Sequence, residues 1–352
     1  MKGDATLTRL LSVLATVALT AACGSSSQAP VAAAPSPSAD TKAPPARGYH
    51  FMVGLGTKPG VLLFSGSTAP PRFDGYDLGD VWIWRAGSGW TQKSGLGQKF
   101  GCPVSVPVTR PCRTSEFACF DPRAGQMVVM ATDAGQAAPL TENWTYDPQN
   151  DSWQQRALDH RPDFMNGTTA ALDEESDRLI AFDGDTWAYD PAANSWQQMH
   201  PKVSPVFDAF SSMVYDQKAD RLILFVVGSR GSLTAVWTYD FNHDAWTEAD
   251  TGTGPSARSY AAVAYDPRSG HVIMFGGDLL DSPLSDTWSY DPAANRWTEL
   301  KPQTGPTARG RHAMAYDSES GKMVMFGGGP NPRAYRNDTW TFDPSTSEWA
   351  KA

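Results

Sequence analysis

Histidine and cysteine are scarce in this sequence, six and four residues among 352. No cysteines stand at a zinc-binding spacing, and no His-Glu-x-x-His run is present. Gly-x-Ser-x-Gly and phosphate-cradling glycine loops are missing too, so the common hydrolase and nucleotide-binding signatures are excluded. Lys/Arg-rich runs are absent and the formal net charge is −9. That balance leaves no electrostatic footprint for nucleic acid and predicts repulsion from an anionic membrane surface. The apolar stretch at residues 10–22, LLSVLATVALTAA, is too short to span a bilayer. Beyond residue 47 no long stretch carries a helical period.

What is present begins at that apolar stretch. Lys2 and Arg9 precede it as a basic start, weakened by Asp4, and the combination reads as a secretory signal over residues 1–22. Ala21-Ala22-Cys23-Gly24 resembles a bacterial lipoprotein cleavage box, although Thr20 stands where Leu is commoner. The resemblance implies that Cys23 becomes a lipidated N-terminus, with acyl chains contributing roughly 0.8 kcal/mol per buried methylene. The alternative is an ordinary secretion signal with an incidental cysteine. Residues 23–47 then form a Ser/Ala/Pro tether, expected to reach about 25–30 Å. The expected location is the extracytoplasmic face of the cell membrane.

Tryptophan exposes the remaining architecture. Asp286-Thr287-Trp288-Ser289-Tyr290-Asp291 is followed by Trp297. The same shape recurs at Trp340/Trp349, Trp237/Trp246, Trp187/Trp196 and Trp144/Trp153, and in a worn copy at Trp82, Trp84 and Trp90. These copies account for all 13 Trp in the chain, which chance clustering does not produce. Each is preceded by two apolar segments, such as Ala261–Asp266 and Val272–Gly277. Four strand-length runs, punctuated by Asp-Pro, Gly and Asn, thus repeat about every 50 residues.

This repeat resembles the kelch family, of which the galactose oxidase central domain is an example. The marks are the aromatic-to-Trp spacing and the glycine pairs Gly276-Gly277 and Gly327-Gly328. The resemblance covers residues 48–352. It implies an all-β fold, a six-bladed β-propeller of four-stranded antiparallel blades. The Gly-His…Trp-Asp pattern of the rival WD40 propellers is absent. Closure by plain blade packing and closure by a borrowed strand both remain open.

With strands named a to d from the axis outward, the b–c loops and d–a crossings share one face. The c–d turns are uniform, whereas the b–c loops vary in length, as recognition loops do on a rigid frame. Ligand-binding candidates on this face are Arg72, Tyr76, Arg230, Arg258, Arg309, Arg333, Tyr335 and Arg336, with Asp278 and Arg311 nearby. Aromatic rings beside guanidinium forks suit sugars, carboxylates or peptide side chains. The bland alternative is that these are solvated loop residues, the a-strand arginines bracing neighbouring blades.

The expected function is membrane-anchored binding of a glycan or protein partner, by a monomer and without a cofactor. The rival is a carbohydrate-active kelch enzyme. A copper radical oxidase needs Tyr49, His50, His312 and a further tyrosine such as Tyr335, yet no crosslinking cysteine is evident. No residue selects the other rival, a sugar epimerase. Cys102 and Cys112 are expected to close a short loop as a disulfide, with Cys112–Cys119 as the alternative. Cys119 sits in an a-strand in register with Ala264 and Ala315, a buried-core position. Asp147, Asp190, Asp240, Asp291 and Asp343 recur at one repeat position and read as turn caps.

Overall fold

The computed structural model describes residues 43–68, 78–96, 113–133, 140–158, 162, 164, 167–226, 234–280 and 282–352. The repeat folds into six sheets. Blade 1 contains β1 (Phe51–Gly54), β2 (Val61–Phe64), β3 (Val81–Arg85) and β4 (Gly89–Lys93). Blade 2 contains β5 (Arg113–Asp121), β6 (Gln126–Asp133), β7 (Leu140–Asp147) and β8 (Ser152–Arg156). Blade 3 contains β9 (Thr169–Asp173), β10 (Arg178–Phe182), β11 (Thr186–Asp190) and β12 (Ser195–Met199). Blade 4 contains β13 (Ser212–Asp216), β14 (Arg221–Val226), β15 (Ala235–Asp240) and β16 (Ala245–Ala249). Blade 5 starts with β17 (Ala262–Asp266) and β18 (His271–Phe275). A two-residue-per-arm hairpin, β19 (Asp278–Leu279) and β20 (Ser282–Pro283), forms its b–c loop before β21 (Thr287–Asp291) and β22 (Arg296–Leu300). Blade 6 contains β23 (Ala313–Asp317), β24 (Lys322–Phe326), β25 (Thr339–Asp343) and β26 (Glu348–Lys351). Every blade is an antiparallel meander in chain order.

The a-strands contact one another in succession, β1 with β5, β5 with β9, β9 with β13, β13 with β17, β17 with β23, and β23 with β1. That circuit is a closed ring, a six-bladed propeller. Among the described residues closure borrows no strand, because each sheet is built from consecutive strands of its own repeat. The seam between blades 6 and 1 is instead held by hydrogen bonds. The amide of Tyr49 donates to the Arg311 carbonyl (3.1 Å) and that of Gly328 to the Arg47 carbonyl (2.9 Å). The amide of Gly60 donates to the Asp317 carboxylate at 2.8 Å.

The core lies between blades. Strand b is buried on both faces, which explains its unbroken apolar runs, such as Val61–Phe64. Each d-strand tryptophan reaches an aromatic ring of the preceding blade. Trp90 meets Phe326, Trp153 meets Phe64, Trp196 meets Phe117, Trp246 meets Phe182, Trp297 meets Phe225 and Trp349 meets Phe275. The regular indole spacing is therefore the spacing of inter-blade contacts. The glycine pairs are steric necessities. A Cβ on Gly276 would sit 2.6 Å from the Arg309 carbonyl oxygen, and Gly277 has φ +95°. Blade 1 meets the same need with Ser65 and Gly66, at φ +67° and +94°. The turn-cap reading of the recurrent aspartates fits the geometry, as Asp190 accepts from the amides of Ala192 and Ala193.

The folded body starts earlier than residue 48. Ala43 packs against the core between blades 6 and 1, and Arg47 is wholly buried. The reason is an ion pair with Asp80 in the first b–c loop, which draws the approaching chain onto the blade.

Candidate functional site

Three blades share a clamp that shapes the b–c/d–a face. In blade 5, Arg258 forms a bidentate pair with Asp286 (2.5 and 2.8 Å) and donates to the Gly276 carbonyl. In blade 6, Arg309 does the same with Asp338 (2.7 and 2.9 Å) and the Gly327 carbonyl. In blade 1, Arg47 pairs with Asp80 and the Ser65 carbonyl. The carboxylate also accepts the indole N–H of the tryptophan two residues on, Trp288, Trp340 or Trp82. Burial raises the pKa of Asp286 and Asp338, but the arginine and indole donors outweigh it and hold both below the ordinary value.

Arg258 and Arg309, expected as ligand-binding residues, therefore have another role here. Their side chains are 2% and 1% exposed, and their forks are spent on their own blades. They frame the face and do not reach across it. Arg333 and Arg336 do lie exposed on the b–c loop of blade 6. Tyr335 turns inward between them. Arg72, Tyr76, Arg230, Cys23, Cys102 and Cys112 lie outside the described residues. Cys119 is free and buried, and burial pushes its thiol up to about 12.

Two residues beyond each clamp arginine the backbone is left-handed. Tyr49, Tyr260 and Arg311 have φ +58°, +59° and +64°. Their main chains form a staircase around the ring. The Arg311 amide donates to the Tyr260 carbonyl (3.1 Å), and the Tyr49 amide donates to the Arg311 carbonyl. The three side chains are thereby brought together from blades 5, 6 and 1. The Arg311 guanidinium lies 4.2 Å from the centroid of the Tyr260 ring. Its Nε donates to the Tyr49 hydroxyl at 2.9 Å, and its Nη1 pairs with Asp278 of the β19–β20 hairpin. The Tyr49 ring stands edge-on to Tyr260 (5.4 Å, 88°) and to Tyr335 (6.4 Å, 89°). Tyr335 fits because residue 48 is glycine, where a Cβ would sit 2.6 Å from its ring. Phe210, from the crossing between blades 3 and 4, extends the aromatic wall at 4.7 Å from Tyr260.

The tyrosine rings are half-buried. Burial first, and neighbouring Tyr49 second, push the hydroxyls of Tyr260 and Tyr335 above the ordinary tyrosine range, so both stay protonated donors at neutral pH. Burial lowers the pKa of Arg311, but Tyr49 and Asp278 outweigh it and secure the positive charge. The exposed large hydrophobics among the described residues, Val203, Val206, Phe210 and Leu280, all lie in loops of this face. Tyr49, Arg311, Asp278 and Tyr335 were visible in the sequence. Tyr260 and Phe210 were not singled out. Aligning each repeat on its clamp arginine would have found Tyr260, because it occupies the register of Tyr49 and Arg311.

The residues do not fit a copper centre. His50 and His312 are buried with their rings edge-on to Phe326 and Phe275. The Tyr49 hydroxyl is held by a guanidinium cation rather than facing an imidazole set. Among the described residues no group of three or more His, Cys, Asp or Glu is arranged to hold a metal.

Comparison with known proteins agrees with the fold. The KLHDC2/KLHL20/DRC7 kelch-repeats domain model matches residues 123–303 and 174–352. A solved structure titled "Structure of YjhT" superposes with a TM-score of 0.60 at 12% identity, over 89% of this chain and 99% of the other. At that identity the likeness is one of fold. No curated protein matches by sequence. Six meander blades, the inter-blade tryptophans and the family match over the greater part of the propeller together place this chain in the kelch-repeat family.

Proposed function

We propose that this protein is an extracytoplasmic binding protein, anchored through lipidated Cys23, which presents the b–c/d–a face of its propeller to a glycan or protein partner. The observation that carries the reading is the left-handed backbone at Tyr49, Tyr260 and Arg311. Holding a bulky residue there costs on the order of 1–2 kcal/mol. The same face uses glycine at Gly276, Gly277, Gly327 and Gly328, where a Cβ would collide with neighbouring backbone. Large side chains kept at three strained positions, all meeting at one point, are best explained by what those side chains do.

The test has two arms. Binding of a glycan array or of an in-cell crosslinked partner is compared between the wild type and Tyr260→Ala/Arg311→Ala, with Arg333→Ala/Arg336→Ala reporting on the blade 6 loop. Loss of binding in the first variant supports the face, and undiminished binding removes it. Labelling with radioactive palmitate checks the anchor. Incorporation should disappear in Cys23→Ser, and a wild-type chain that takes up no lipid refutes the anchor.

A further inference from the structure

We infer that the cup formed by Tyr49, Tyr260, Tyr335 and Arg311 takes an uncharged sugar ring; this rests on the reading of the b–c/d–a face as the binding surface and narrows it. The first support is charge balance. Each guanidinium that builds the cup has its own carboxylate: Arg47 with Asp80, Arg258 with Asp286, Arg309 with Asp338 and Arg311 with Asp278. Among the described residues the cup itself carries no unmatched guanidinium; the exposed cations Arg333 and Arg336 stand on the blade 6 loop beside it.

The second support is the pattern of unused polar groups. Arg311 donates from Nε and Nη1, and among the described residues Nη2 has no partner. The Tyr335 hydroxyl is shielded from solvent and likewise unpartnered among the described residues. A polar atom in that position lacks the partner a buried group needs, which a bound water supplies, or a ligand hydroxyl once the ring turns outward. Sugar hydroxyls both donate and accept, and so can serve a guanidinium edge and a phenol together.

The third is shape. Phenol rings standing perpendicular to one another offer both faces and edges to the C–H surface of a pyranose. An apolar protein anchor would instead cover the open guanidinium edge without replacing its hydrogen bonds, which costs about 1–3 kcal/mol.

The experiment is calorimetric titration of the full chain in detergent with neutral glucose and N-acetylglucosamine oligosaccharides and a size-matched uronic-acid oligosaccharide, at low and high salt. A neutral oligosaccharide should bind with little salt dependence, and Tyr260→Ala should weaken it about tenfold. Asp278→Asn removes the balancing charge and should shift preference toward the uronic-acid probe. Should that variant fold poorly, Arg311→Gln/Asp278→Asn keeps the site neutral and should retain the neutral preference. Tighter binding of the acidic probe by the wild type, or steep loss of binding with salt, overturns the inference. Failure of every saccharide while crosslinking from position 260 still captures a partner also overturns it and leaves the face reading standing. Saccharide binding untouched by Tyr260→Ala overturns both.

Discussion

Arg311 and Tyr260 lie in stacking contact, 4.2 Å from guanidinium carbon to ring centroid, although they belong to different blades. A main-chain hydrogen bond between the same two residues sets the spacing of the blades and the contact of the side chains at once.

Strain at these positions can be measured. At an ordinary strand position alanine is more stabilising than glycine. At residue 260, with φ +59°, the order should reverse. Tyr260→Gly should be more stable than Tyr260→Ala by about 1 kcal/mol in urea denaturation. Equal stabilities would mean the backbone relaxes.

The clamp should be unforgiving. Arg309 is 1% exposed at its side chain and Asp338 18%. Arg309→Ala leaves the carboxylate without its fork and should cost about 3–5 kcal/mol by chemical denaturation. Arg309→Lys should restore little, since an ammonium cannot serve both carboxylate oxygens and the Gly327 carbonyl in one plane. Full rescue by lysine would reduce the clamp to a simple charge pair.

Acid should act in two stages. Burial holds His312 down at about 3 and lowers His50 well below its ordinary value. The unfolded chain takes up these protons near pH 6.5. Stability should therefore be greatest above that pH and fall below it, by about 1.4 kcal/mol per pH unit for each histidine. For His312 the loss should run down to about pH 3. Asp286 and Asp338 have depressed folded values, so their contribution is present above the ordinary carboxylate pKa and is lost as pH falls through the folded values. His312→Leu should flatten the first stage in denaturation curves taken across pH. An unchanged slope would exclude His312 as its source.

Gly48→Ala probes the cup without touching the core. The added methyl would meet the Tyr335 ring at 2.6 Å, so Tyr335 must move. Ligand affinity should fall severalfold while the thermal midpoint changes little. Unchanged affinity would separate Tyr335 from binding.

Cys119 should resist alkylation in the folded protein, because its buried thiol is pushed up to about 12. Peptide mapping should find it labelled only after unfolding. Labelling in the native state would mean that blade 2 opens.

The propeller was legible in the sequence because burial between sheets demands the same large ring at the same place in every repeat. Trp349 and Phe275 illustrate it: the contact is remote along the chain but periodic, and periodicity survives in one dimension. The turn-capping aspartates were legible for the same reason, as each acts within its own turn.

The site was only partly legible. Arg258, Arg309 and Arg311 all stand just before an a-strand and all are buried, yet the first two are spent in clamps within their own blades and the third reaches the tyrosines of the cup. What separates them is backbone handedness and the position of a carboxylate dozens of residues away, neither of which composition records. Sequence by itself thus determined the number of blades, their strand order and the existence of a loop-bearing face, since these follow from local pattern and repeated burial. Tertiary structure alone decided how the ring closes and which side chains meet at its mouth, because both depend on residues from blades 5, 6 and 1 that approach only when the circle is complete.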